Sequence, residues 1–328
     1  MKNIYLNIYK PNTNNLKRAK KNIENNNLIG LPTETVYGLA GNAYSDQSVR
    51  KIFKLKKRPA FNPLIVHFKS LRELKNDANY NDNFIKLYKA FCPGPITFIL
   101  NKNTKSKISK IASVGKKTIA IRFPKHNVAR NLLKILNVPL AAPSANMSSK
   151  LSPTSANDVV DEFKNKLRFV LDGGRCEIGL ESTIIDLTSK PCILRQGSIT
   201  HAQIKKVLKV KILSRSQLKN IKSPGQLKFH YSPGIPVLLN KKFPKKDEAF
   251  ITFGKKFKND KNYFNLSKKR NLNEAANNLY KIMRKIKNKG FNSISVCKIP
   301  NFGIGQAINE RLKKASNKWM KYQLKSRI

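Results

Sequence analysis

Residues 28–68 read LIGLPTETVYGLAGNAYSDQSVRKIFKLKKRPAFNPLIVHF. The apolar run Leu28 to Leu31 has strand length and stops at Pro32. Ser45 is placed to cap a helix whose apolar residues Val49, Ile52, Phe53 and Leu55 recur at helical spacing, and Pro59 ends it. A second apolar run, Leu64 to Phe68, follows Pro63 and reads as a buried strand. The expected order is strand, polar loop, helix, basic turn, strand. Its connections carry more reactive groups than packing requires: Thr33, Glu34, Thr35 and Tyr37 in the first, then Lys56, Lys57, Arg58 and Asn62, with His67 on the closing strand.

Outward from this stretch the pattern alternates. MKNIYLNIYK at the N-terminus reads as an edge strand, and Leu16 to Asn27 as a polar surface helix. Helices are expected at Ser70 to Leu74, Asn83 to Phe91, Val128 to Leu136, Ser155 to Phe163 and His201 to Leu208, the last opened by a Thr200/Gln203 capping box. Strands are expected at Ile96 to Leu100, Thr118 to Phe123, Pro139 to Ala142, Arg168 to Leu171, Ser182 to Leu187 and Cys192 to Arg195. Several strands adjoin in sequence, so the class is α/β with a mixed sheet and flanking helices. Residues 214–236, rich in proline and without a period, read as a linker between a domain at 1–213 and a small α/β domain at 237–328. In the latter, strands are expected at Val237 to Leu239, Ala249 to Phe253 and Ser293 to Cys297, with helices at Leu272 to Lys289 and Gln306 to Ala315.

A formal net charge of +48 points towards anionic partners, nucleic acid included. Only 14 of the 66 cationic residues are Arg, however, and Asn abounds beside the Lys, which is the composition an AT-rich genome writes wherever a fold tolerates it. The charge therefore does not name a ligand, and weak RNA binding stays compatible with it. Cys92, Cys176, Cys192 and Cys297 have neither C-x-x-C nor zinc-like spacing, as expected of a reduced, cytoplasmic protein. No run reaches the roughly 18 apolar residues of a membrane span. The chain has no phosphate loop, no H-E-x-x-H and no G-x-S-x-G elbow.

What remains is a set of polar loops at strand ends. Lys56 and Arg58 sit at a helix C-terminus, where cations are favoured whatever the function, and Ser144-x-Asn146 has the residue types of an ordinary turn. Arg122 and Arg195 are harder to dismiss, because each lies in an apolar strand where a charge needs a partner or a ligand. Together these groups suggest a pocket for a phosphate-bearing ligand.

Eight segments, in order and spacing, resemble the threonylcarbamoyl-AMP synthase family (YrdC-like): Pro32-Thr-Glu-Thr-Val-Tyr-Gly38, Lys56-Lys-Arg-Pro59, Asn62-Pro-Leu-Ile-Val-His67, Pro93-Gly-Pro95, Ala120-Ile-Arg122, Pro143-Ser-Ala-Asn146, Glu181-Ser-Thr183 and Leu194-Arg195. His230-Tyr-Ser-Pro233 and Gly303-Ile-Gly-Gln-Ala-Ile-Asn-Glu-Arg311 resemble the long form of the family. The resemblance implies a YrdC-like twisted mixed sheet, a small Rossmann-like C-terminal domain, and a linker that passes over the active site as a lid. It also implies a nucleotidyltransferase that joins L-threonine, bicarbonate or CO2, and ATP into threonylcarbamoyl-adenylate and pyrophosphate. Mg2+ would be held mainly through ATP. The product would pass to a tRNA threonylcarbamoyl-transferase complex that modifies adenosine 37 of tRNAs reading codons that begin with A.

By the same resemblance the threonine-binding positions match Thr35, His67, Arg122, Ala142 and Ser182. The ATP-binding positions match Arg58, Asn62, Thr118, Ser144, Asn146, Ser152, Arg195 and Tyr231. Lys56 and Arg58 take the catalytic role at the triphosphate. Cys92 and Gln196 stand where the family commonly has Trp and Pro, without removing a proposed contact. Two other readings compete: a non-enzymatic RNA-binding module, disfavoured by the absence of an aromatic stacking motif, and a carbamoyl-transferring relative, whose additional regions this chain lacks.

Overall fold

In a computed structural model, which describes residues 4–214, 230–257 and 260–325, the chain forms two compact units. The first comprises Met1–Ser148, Pro153–Glu177 and Glu181–Gln226; the second Ser149–Ser152, Ile178–Leu180 and Leu227–Ile328. Residues 215–229 of the expected linker lie outside the described residues.

The first unit opens with a 3-10 turn at Ile4–Asn7 and strand β1 (Ile8–Tyr9), at the sheet edge as expected. Helix α1 (Thr13–Glu24) starts earlier than its apolar pattern suggests, because the Asn12 side chain accepts the N–H of Asn15 and so caps it. The expected polar loop after β2 (Ile29–Leu31) is a correction: residues Gly38–Asn42 form β3, antiparallel to β2. Glycine hid this strand. A Cβ on Gly41 would stand 2.4 Å from Ser48 Oγ, so helix packing requires a residue that reads as loop. Helix α2 (Asp46–Lys56) is capped by Ser45 as expected and stops at Lys57, whose φ of 48° is left-handed.

There follow β4 (Ile65–His67), α3 (Leu71–Leu74), β5 (Ala78–Asn79), α4 (Asp82–Phe91), β6 (Ile96–Lys102), β7 (Thr118–Arg122), α5 (Asn127–Ile135), β8 (Leu140–Ala141), α6 (Ala156–Phe163), β9 (Val170–Leu171), β10 (Thr183–Asp186), β11 (Cys192–Arg195), α7 (His201–Leu208) and β12 (Leu213–Ser214). The expected Thr200/Gln203 capping box formed, whereas Ser155, the expected first residue of α6, instead caps it in a box with Asp158. The sheet order is β1-β9-β2-β3-β8-β4-β7-β6-β10-β11-β12, with β5 on β6. It is mixed: β4/β7 and β6/β10 are parallel, whereas β3/β8, β4/β8, β6/β7 and β10/β11 are antiparallel.

The register sorts side chains into two faces. Val66, Phe98, Ile119, Ile121, Ala141 and Ile185 enter the main core. The alternate positions Ile65, Ile99, Ala120 and Ile184 form a smaller apolar cluster on the other face. Polar residues in that second alternation therefore share a face.

In the second unit β13 (Val237–Leu238), β14 (Glu248–Thr252), β15 (Tyr263–Asn265) and β16 (Ser293–Val296) pair in parallel in the order β13-β16-β14-β15. The crossover helix α8 (Leu272–Asn288) buries Ala275, Leu279 and Met283 among others, and α9 (Gly305–Lys325) closes the unit. Strand β15 escaped the sequence because Tyr-Phe-Asn is too short to show a period. Helix α9 runs ten residues past its expected end at Ala315.

Candidate functional site

Arg122 ends β7, where His67 on β4 and Thr97 on β6 are its register partners. All three lie in the face-sharing alternation, with Thr118 and Ala120 below Arg122 on the same strand. The Arg122 guanidinium is buried. Its Nη1 donates to Thr35 Oγ1 at 2.8 Å, and its Nη2 stands 2.8 Å from Glu34 Oε1. That second approach is off the hydrogen-bonding direction, so both atoms keep unspent bonding capacity. Thr35 also bonds the Thr33 hydroxyl at 2.9 Å, and Thr33 donates to the carbonyl of Val36. The β2–β3 loop is thereby locked around the arginine. Tyr37 anchors it from behind, donating to the carbonyl of Gly174 at 2.7 Å.

On the other side of Arg122, the hydroxyls of Thr97 and Ser182 are 2.7 Å apart, and Arg195 donates to the Ser182 carbonyl at 2.9 Å and to its hydroxyl at 3.0 Å. Both strand arginines thus find partners inside the protein. The structure brings Thr35, Arg122, Ser182 and Arg195 into one buried line. Glu34 and Thr97 complete it. Glu34 stood in the quoted loop, but its pairing with a residue 88 positions later leaves no local signal; Thr97 is hidden in an apolar strand.

His67 is buried beside Arg122, and its Nδ1 has no hydrogen-bond partner among the described residues. Burial, and then the Arg122 charge, hold its pKa well below the ordinary value, so the ring is neutral at neutral pH. Asn62, 2% exposed, likewise leaves both its amide nitrogen and its amide oxygen unpartnered among the described residues. Its backbone carbonyl accepts from Arg58 Nε at 2.9 Å, and Pro63's from Arg58 Nη2 at 2.8 Å, which fixes the half-buried Arg58 across the turn after α2.

Lys56 leaves the last turn of α2 and is 1% exposed. Its ammonium donates to the backbone carbonyls of both Ser144 and Asn146. The Lys56 side chain is therefore a strut that pins the Ser144–Asn146 loop to α2. Burial, and then Arg58, push its pKa well down. The loop is held from β3 as well, since the N–H of Leu39 bonds the Pro143 carbonyl at 2.7 Å and that of Ala145 the Tyr37 carbonyl at 2.8 Å. Ala142 donates its N–H to the Ile65 carbonyl at 2.9 Å, which seats it beside β4.

The two remaining expected site residues belong to the second unit. Ser152 is fully buried, and its carbonyl accepts from Arg284 at 2.9 Å. Tyr231 is 1% exposed, stacks on Tyr280 with ring centroids 5.9 Å apart, and lies 5.2 Å from the Arg311 guanidinium.

Residues 21–197 match the Sua5/YciO/YrdC family model, described as telomere recombination, and residues 199–317 match the threonylcarbamoyl-AMP synthase C-terminal domain. The chain is similar to threonylcarbamoyl-AMP synthases of Pyrococcus abyssi, at 36% identity over 90% of this chain and 92% of that protein, and of Bacillus subtilis, at 33% over 92% of each. The crystal structure of P. abyssi Sua5 complexed with L-threonine superposes with a TM-score of 0.85 at 32% identity, covering 94% of this chain and 96% of that one. Escherichia coli YciO, at 22% identity and a TM-score of 0.51 over 58% of this chain, shares the fold. On this evidence of sequence, fold and domain order together, the chain belongs to the threonylcarbamoyl-AMP synthase family in its two-domain form.

Proposed function

We propose that the protein joins L-threonine, bicarbonate or CO2, and ATP into threonylcarbamoyl-adenylate, releasing pyrophosphate. The observation that carries this reading is the unspent polar capacity gathered in the first unit: Arg122 Nη2, His67 Nδ1 and the Asn62 amide are all buried without a directed hydrogen bond among the described residues. Buried polar groups are ordinarily satisfied, and a small zwitterion and a nucleotide offer the missing partners.

In this mechanism Arg122 grips the threonine carboxylate, a role that suits a planar guanidinium. Neutral His67 and the Ser182 hydroxyl orient the amino acid without adding charge, and Thr35 and Ala142 bound its pocket. The threonine amine adds CO2 to form a carbamate; a carbamate oxygen attacks the α-phosphorus of ATP, and the bond to pyrophosphate breaks. Such a step needs positioning and charge stabilisation more than a protein nucleophile. Arg58, Arg195, Asn62, Thr118, Ser144 and Asn146 hold the nucleotide, and Lys56 sets the loop that carries Ser144 and Asn146. Ser152 and Tyr231 are nucleotide contacts by their family positions.

Mg2+ fits this set through the ATP phosphates. Glu34, the carboxylate beside Arg122, balances that cation and accepts the N–H of Lys125. Among the described residues no group of three His, Cys, Asp or Glu side chains could hold a metal. When bound, the ion neutralises phosphate charge. The adenylate then passes to the transferase that modifies tRNA in the cytoplasm.

The test is pyrophosphate release by purified protein with ATP and Mg2+, omitting threonine and bicarbonate in turn. Release that needs both supports the reading. Release without threonine sinks it in favour of another acceptor, and binding of tRNA without any release favours an RNA-binding module.

A further inference from the structure

The second unit carries a cavity of about 540 Å³ lined by none of the residues given a role above. Five of its ten lining residues are basic, Lys241, Lys242, Lys256, Arg270 and Lys298, and none is acidic. Two cavities of the first unit also carry five basic residues each, in linings of eleven and thirteen, so the cluster by itself does not single this one out.

Its place in the sheet gives the cluster a reason. Phe253 follows β14 and Cys297 follows β16, two adjacent parallel strands, and both residues line the cavity. The chain leaving β14 runs to β15 on one side. The chain leaving β16 enters α9, which packs beside β13 on the other. The cavity therefore lies outside the carboxyl ends of the strands, where successive connections diverge, which is the position at which open parallel sheets take their ligands. Its walls are fixed by backbone bonds: Lys241 N–H to the Val296 carbonyl at 2.9 Å, and Cys297 N–H to the Ile251 carbonyl at 3.0 Å.

One wall is aromatic. The Phe257 ring is held edge-to-face by Phe250, with centroids 5.6 Å apart, and the Lys256 ammonium lies 5.4 Å from its centre. A ring face open to a cation is open to a base, and a base stacking there would release Lys256 to a phosphate. We infer that this cavity is a second anion site that binds a nucleotide, its phosphates on the Lys and Arg cluster and its base on Phe257.

The probe is 8-azido-ADP photolabelling of the full-length protein with peptide mapping, beside equilibrium dialysis with ADP. Label is expected within residues 253–257 or 297–300. The Arg270→Ala/Lys298→Ala variant should lose that label and weaken one class of ADP site at least about tenfold, the effect of roughly one lost charged contact, while threonine-dependent pyrophosphate release stays at the wild-type rate. Label confined to the first unit would overturn the inference. So would a variant that labels as wild type, or one that loses only tRNA affinity, which would make the cluster an RNA surface. Absence of pyrophosphate release from the wild type bears on the proposed synthase activity alone, because the labelling does not depend on turnover.

Discussion

Glu34 and Arg122 meet at 2.8 Å with side chains only 4% and 5% exposed, joining the β2–β3 loop to the end of β7. A charge so buried is tolerable only with its partner in place. Removing one partner of such a pair costs about 3 to 5 kcal/mol, whereas replacing both with apolar groups costs less. Glu34→Leu should therefore lower unfolding stability in urea by about 3 kcal/mol, and Glu34→Leu/Arg122→Leu by less than either single change. Additive losses in that cycle would show that the two charges are not energetically coupled.

Lys56 is expected to act through loop geometry. In Lys56→Met the buried carbonyl of Asn146 and the part-buried one of Ser144 lose this donor, and a buried acceptor left unsatisfied costs about 1 to 3 kcal/mol. Stability should fall by roughly 2 kcal/mol or more, and the KM for ATP should rise more than that for threonine. A variant with wild-type stability and lowered kcat alone would instead assign Lys56 to the reacting phosphates.

The pKa of His67 lies well below its ordinary 6.5 in the folded protein. Below about pH 6.5 the unfolded chain binds a proton that the folded chain refuses, so stability falls as pH drops through that value towards the folded pKa. Above it both states are neutral and the term vanishes. His67→Gln should flatten this part of the stability profile. Denaturation midpoints at pH 7.5, 6 and 5 for both proteins isolate the difference from other titrating groups; parallel profiles would refute it.

Gly197 follows the strand arginine by two residues, and a Cβ there would lie 2.3 Å from the Thr183 backbone nitrogen and 2.7 Å from the Ser182 carbonyl carbon. The Ser182–Thr183 peptide they belong to cannot yield as the free end of a side chain can. Gly197→Ala should cost about 1 to 3 kcal/mol and, by shifting Arg195 from Ser182, reduce catalysis further than the stability loss explains. Thermal melts with threonine and ATP titrations test both parts.

Local chemistry made much of the fold legible. Ser45 and Thr200 cap the helices their sequence announced, because a cap is a contact within three residues. Strand β3 was not legible, since its Gly41 answers to Ser48 on a packed helix rather than to strand propensity. Strand β5, two residues long, has no period to read.

By itself the sequence determined most of the segments that become strands and helices, where most of those begin, and the ordered set of motifs that marks the family, because these depend on neighbours along the chain. Only the tertiary structure decided that Arg122 pairs with Glu34, that Lys56 spends its donors on the Ser144–Asn146 loop, and that Thr97 bridges towards Ser182 and Arg195. Each of these joins residues tens of positions apart through strand register. A buried charge takes whichever partner the fold brings within about 3 Å, and no spacing along the chain encodes that distance.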